Sequence, residues 1–179
     1  QEQLSYRLIF CEIVTALSVQ RKGGVFICKV FDLYTFITIS FIALLQSLYD
    51  TVYITKPLTS RPANSEKYII AQGFRGIEED YLEELYLIIQ KWSIIDNINY
   101  SITNIFKESI TPQLKQSINL YNNFNSKLQI ENIVKTLDII KKQSNLSLLN
   151  NIISGQANKA VDWCKKYDIK INYNSNFLK

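Results

Sequence analysis

A chain of 179 residues with 47% hydrophobic content and a formal charge of +4 carries the apolar material of one folded domain or part of a larger one, which excludes general disorder. It has no histidine, and Cys11, Cys28 and Cys164 lie far apart without a C-x-x-C pair. Zinc fingers, histidine bases and Ser-His-Asp triads are thereby excluded, no metal site is expected, and free thiols in a reducing compartment are.

Residues 2–20 place Leu4, Leu8, Phe10, Cys11, Val14, Leu17 and Ser18 near one helical stripe, and Arg21-Lys22-Gly23-Gly24 ends that helix with basic residues and glycine. Glu2 and Arg7 interrupt any secretory signal at the start, and a chain opening on Gln1 without methionine is expected to be processed or part of something longer. "VFICKVF", from Val25, is a continuous apolar run of strand length and predicts a strand buried on both faces, with Lys29 as its anomaly. Residues 33–49 carry no charge; they are short for a membrane span and predict a buried crossover helix. "TVYITKP" and "KYIIAQGF" predict two further strands around a loop at 56–66. Strand, helix, strand is the crossover unit of a parallel sheet, and the short loop makes the third strand antiparallel to the second.

Beyond Gly76, Ile77, Tyr81, Leu85, Ile88, Ile89, Trp92 and Ile95 share one face of an amphipathic helix with acids in its first turns. The stretch 96–126 is rich in asparagine and serine and gives no clear element. Helices are expected near 127–143 and 156–168, before a polar tail. The fold class expected is therefore α/β, with two parallel strands plus one antiparallel strand over residues 1–76 and an α-helical extension over 77–179.

Two charged residues could carry chemistry. Lys29 either snorkels its ammonium to solvent or, buried among apolar and cationic groups, has a lowered pKa and can accept or orient a proton. Glu66 is either a solvated loop carboxylate or a partner of that lysine. The end of a parallel strand and the start of an antiparallel one lie at the same, ligand-bearing edge of an α/β sheet, so the two can meet. A mild basic excess, with pI near 8.9, leans toward an anionic partner such as RNA.

"GGVFICKVFDLYT" followed by "LYDTVYITKPLTSRPANSEKYIIAQGF" resembles the second half of the FtsJ-like ribose 2′-O-methyltransferase domain, closest to the cap-specific mRNA enzymes. The resemblance is strong over about residues 1–76 and patchy beyond. It implies a Rossmann-like sheet, S-adenosylmethionine as cofactor, capped mRNA as substrate and a Lys-Asp-Lys-Glu tetrad, of which Lys29 matches the third member and Glu66 the fourth. The first lysine, the aspartate and the cofactor-binding residues would lie upstream of Gln1 or on a partner chain, so the isolated chain is expected to be inactive. The implied chemistry is in-line transfer of the sulfonium methyl to a ribose 2′-hydroxyl, with Lys29 orienting or deprotonating that hydroxyl and Glu66 holding both in line. The loop then becomes the rim of an RNA site: Arg61 contacts phosphate or a base, or clamps its own loop, while Ser60, Asn64 and Ser65 shape the rim with Pro57 and Pro62. Two alternatives stay open, a non-catalytic RNA-binding or scaffold remnant and the ribosomal RNA branch of the family. A cytosolic or nuclear location in a eukaryotic host is expected, and the asparagine and isoleucine content would also suit a large DNA virus.

Overall fold

The computed structural model describes residues 1–57, 59–96, 104–106 and 110–176, except the side chains of Ser93, Ile95 and Asp96. The expected inward position of Ile95, and parts of the asparagine-rich stretch, lie outside the described residues. The order of elements is α1 (Glu2–Val19), β1 (Val25–Val30), α2 (Phe36–Leu48), β2 (Tyr49–Thr55), β3 (Lys67–Phe74), α3 (Glu79–Asp96), α4 (Pro112–Lys141) and α5 (Leu146–Lys166). Contacts divide the chain into two compact units, residues 1–130 and 131–179, with the boundary inside α4.

In the first unit, α1 buries Tyr6, Ile9, Phe10, Ile13, Val14 and Leu17. This i, i+3, i+4, i+7 stripe differs from the expected one: Leu4 and Leu8 are exposed. The reason is competition between two overlapping apolar stripes. The one centred on Phe10 meets α2 and α3 at once, Phe10 stacking on Phe41 at 5.6 Å and approaching Trp92 at 5.9 Å. The helix ends just before the Arg-Lys-Gly-Gly signal, as expected. Gln20 is its extended C-cap, and Gly23, with φ +78, makes the turn into β1 by donating its N–H to Phe74 O at 2.7 Å.

The sheet order is β1-β3-β2, and both pairings are antiparallel. β1 and β2 point the same way, as a crossover demands, but they are not neighbours and no parallel pair exists among the described residues. The two expected parallel strands thus share a direction but not a ladder, each pairing with the reversed strand. Strand β3 fills the space between them, so α2 spans two strand spacings, about 10 Å, instead of one. The expectation that β1 is buried on both faces is also corrected. Phe26, Cys28 and Val30 face the helices, while Val25 (53%) and Ile27 (61%) stay exposed on the other face.

Helix α2 is short and buried almost all round, at about 20 Å a core crossover and not a span. Among the described residues no helix is long and apolar enough to cross a membrane. Both its ends are held by charge. Glu2 Oε1 accepts from the Tyr34 and Thr35 N–H groups at 3.1 and 3.0 Å, and from the Thr35 and Thr38 hydroxyls at 2.8 Å. The Arg75 guanidinium donates to Gln46 O and Ser47 O at the other end. An anion at the N-terminus and a cation at the C-terminus match the helix dipole.

Helix α4 begins fifteen residues before the expected Lys127. The Thr111 hydroxyl accepts from the Leu114 N–H, Pro112 occupies the first helical position, and Leu114, Ile118 and Asn122 bury at successive i+4 steps. Burial of that stripe, with Asn122 donating to Leu33 O at 2.8 Å, outweighs the poor helix propensity of the asparagines. Helix α5 likewise starts earlier than expected, capped by the Asn145 side chain, which accepts from the Leu148 N–H.

Candidate active site

The β1–β3 register sets the site. Lys29 lies opposite Tyr68, and Val30 opposite Lys67, so the residue just before β3, Glu66, stands at the end of β1. Lys29 Nζ and Glu66 Oε2 are 3.4 Å apart, with the lysine side chain 49% exposed and the glutamate 23%. Lys29 belongs to the open face of the sheet, and its ammonium sits 5.7 Å from the centre of the Phe31 ring. A lysine on that face keeps its head in reach of a substrate and its stem along the strand.

Glu66 is held from three sides. The Tyr68 hydroxyl donates to Oε1 at 2.7 Å, and Asn64 Nδ2 donates to Oε2 at 3.4 Å. Residues 66 and 68 meet because side chains two apart on an extended chain share a face. The Tyr68 hydrogen bond, more than the Lys29 charge, holds the Glu66 carboxyl below its ordinary pKa, which keeps it ionised through the neutral range. The same bond raises the Tyr68 phenol.

The loop is built around Lys56. Its ammonium donates to Asn64 Oδ1 at 2.7 Å, Glu66 O at 2.8 Å, Asn64 O at 2.9 Å and Ser60 Oγ at 3.2 Å. One cation thus ties the start of the loop to its end. Partial burial, then the positive charge of Lys67, lowers the Lys56 pKa from its ordinary value. Two backbone turns complete the fold of the loop: Ser60 N–H donates to Pro57 O, and Asn64 N–H to Arg61 O across Pro62 at its usual second position. From outside, Gln129 of α4 donates to Ala63 O at 3.1 Å.

The structure therefore turns Ser60 and Asn64 inward to Lys56, and buries Ser65, whose hydroxyl donates to Gln1 Oε1 at 3.1 Å. Arg61 alone of the four rim candidates is exposed. A second ion pair lies beneath the first: buried Lys67 meets Asp32 Oδ1 at 3.1 Å and donates to Ser65 O at 3.0 Å. Sequence reasoning named Lys29 and Glu66 but assigned nothing to Lys56, Lys67 or Tyr68. The only linear signal for Lys56 was the number of acceptors packed into the ten residues after it.

Chemically the pair offers an exposed ammonium fixed by an ionised carboxylate, a unit that can orient a hydroxyl by donating to its oxygen, and that can take the hydroxyl proton only in its neutral amine form. Cys28 offers nothing similar: burial, then Glu12, raises its thiol far above the ordinary value. Among the described residues no group of three acidic or cysteine side chains could hold a metal. The glycine pair among them is not the turn of an S-adenosylmethionine site. Gly23 and Gly24 lead from a helix into a strand, the reverse of the strand-to-helix glycine turn that such a cofactor uses.

A family model described as FtsJ-like methyltransferase matches residues 1–74, a stretch that contains both Lys29 and Glu66. Cap-specific mRNA (nucleoside-2′-O-)-methyltransferase 1 of Bos taurus is 51% identical over 85 residues, covering 46% of this chain and 10% of that protein. The protein of the same name in Homo sapiens is 47% identical over 85 residues, covering 46% and 10%. Methyltransferase 1A of Caenorhabditis briggsae is 44% identical over 89 residues, covering 48% and 10%. The matched region spans about a tenth of the length of these relatives.

Proposed function

We propose that Lys29 and Glu66 belong to a site that transfers a methyl group to a ribose 2′-hydroxyl of capped mRNA, with S-adenosylmethionine as the donor. The observation that carries the proposal is the 3.4 Å approach of these two side chains inside the stretch that matches the FtsJ-like methyltransferase model. Residues 1–76 form the methyltransferase portion in this reading, and 77–179 a helical extension. Lys29, on the open face, orients the 2′-hydroxyl or takes its proton, and Glu66 fixes the ammonium along the line of attack. Arg61, on the exposed loop, contacts RNA phosphate, while Ser60, Asn64 and Ser65 act through the shape of the loop. The remaining lysine and aspartate, and the residues that hold the methyl donor, come from another segment or chain, so the 179 residues do not methylate RNA by themselves. The place of action is the nucleus or cytosol of a eukaryotic cell.

The test is methyl transfer to a capped RNA by a protein in which the site is complete. Lys29→Ala is expected to reduce turnover at least 100-fold, as loss of a positioned proton-transfer group does, without abolishing RNA binding. Wild-type turnover by Lys29→Ala refutes the assignment. In the alternative reading, a non-catalytic RNA-binding module, the completed protein shows no turnover for Lys29→Ala to reduce.

A further inference from the structure

Charge is unevenly spread along the chain. Residues 1–130 carry twelve basic and twelve acidic side chains, whereas 131–179 carry eight lysines against four acids, so the net charge of +4 belongs wholly to the second unit. Four of these lysines, Lys159, Lys165, Lys166 and Lys170, lie in the second half of α5 and just beyond it, all exposed. Among the described residues none of the four is ion-paired to a carboxylate.

Aromatic rings accompany the charge. Trp163 and Tyr167, one helical turn apart, have centroids 5.1 Å apart, and the Lys166 ammonium lies 5.3 Å from the centre of the Tyr167 ring. Tyr167 and Tyr173 are exposed. The local backbone is fixed as well. Ile169 N–H donates to Cys164 O at 2.8 Å and Asp168 N–H to Lys165 O at 3.4 Å, with Asp168 at φ 53, which is the double hydrogen bond of a left-handed helix cap. Lysines in a last helical turn complement the dipole in any protein. That role does not account for Lys170, beyond the helix end, or Lys159, well inside it.

We propose that this end of α5 binds single-stranded RNA without sequence preference, its ammonium groups on phosphates and Tyr167 as a stacking platform for a base. Sequence-tolerant binding of single strands combines these two elements: a cationic track and an exposed ring. Exposed rings beside the lysines offer bases a stacking surface, and the vesicle arm of the experiment below separates RNA from an anionic lipid surface. The inference rests on the function proposed above only in choosing RNA among polyanions.

The experiment is fluorescence anisotropy of an uncapped, labelled 12-nucleotide RNA with the full chain. Three phosphate contacts give a log–log salt slope of about −2, so a fourfold rise in salt weakens binding about 20-fold. Replacing Lys165, Lys166 and Lys170 together by serine is expected to weaken binding at least tenfold and flatten the slope, while replacing them by arginine preserves both. Tyr167→Ser is expected to weaken binding about tenfold with the slope unchanged. Circular dichroism of each variant registers any loss of helix. The inference is overturned if the wild-type chain does not bind this RNA, if the triple serine variant binds equally well while folded, or if phosphatidylserine vesicles are bound and RNA is not. No methyl transfer enters the readout, so failure of the proposed reaction and failure of this surface are scored separately.

Discussion

Replacing Lys56 by methionine removes one ammonium and leaves four oxygens, at Asn64, Glu66 and Ser60, without their shared donor. Hydrogen bonds to charged groups contribute about 1.5–3 kcal/mol each when water is excluded. Lys56 is only partly buried, so water replaces some of that interaction, and two of its four contacts fall on one residue, Asn64. Some of the loss is also offset, because the wild-type ammonium is charged against the cost of partial burial and the neighbouring Lys67. A net loss of about 2 kcal/mol follows. With a urea slope of roughly 2 kcal/mol/M for a chain of this size, the midpoint moves down by about 1 M. Urea unfolding followed by circular dichroism measures it, and amide exchange at Asn64 reports whether its turn has opened. Ser60→Ala, which removes the longest of the four bonds and a long bond from Ser60 to Asn64 Oδ1 at 3.4 Å, is expected to cost under about 0.5 kcal/mol. An unchanged midpoint for Lys56→Met, or a Ser60→Ala cost as large as that of Lys56→Met, would show that the loop is held by something else.

Tyr68→Phe removes the main cause of the low Glu66 pKa, so an NMR titration should show that pKa moving up toward the ordinary carboxylate value; no movement would reassign the shift to Lys29. The stability that wild-type Glu66 contributes through this shift is present above its ordinary pKa and is lost as pH falls through its lowered one. Phe41→Ala, at a fully buried ring stacked on Phe10, should cost about 3–5 kcal/mol by thermal or urea unfolding. Burial pushes the Tyr49 phenol up to about 12, so the folded state holds its proton longer than the unfolded chain does. Stability should therefore fall as pH rises from 10 to 12, and Tyr49→Phe should flatten that part of the curve. Gly73→Ala, at φ +74 with Asp50 against the position a Cβ would take, should destabilise by about 2 kcal/mol or more, and pairing it with Asp50→Ala should recover only the steric part.

What the sequence disclosed follows from the range of the forces involved. Strand and helix types in the first 76 residues were legible because each carries its own period, and the approach of Lys29 to Glu66 followed from loop length and strand direction alone. The insertion of β3 between β1 and β2 was not legible, since pairing order is decided between strands and leaves no trace in either one. The true face of α1 was hidden for a similar reason: Leu4 and Leu8 are as apolar as Ile9 and Ile13, and only the positions of α2 and α3 distinguish them. Lys56 was missed because a clamp is a property of a closed loop. The Thr111-Pro112 pair, by contrast, is a local start signal that a closer reading of the asparagine-rich stretch could have used.

The open side of β1 bears on how Lys29 is to be tested. This strand ends the sheet, its outer edge has no partner among the described residues, and Val25 and Ile27 are bare beside it. An apolar edge strand of six residues invites other molecules to zip on, and a lysine in mid-strand is a common guard against that. Lys29 is a side chain of that kind. Lys29→Ala removes the guard together with the ammonium, whereas Lys29→Gln keeps a polar side chain on the edge. The glutamine variant, checked for monodispersity by light scattering, separates lost chemistry from lost solubility.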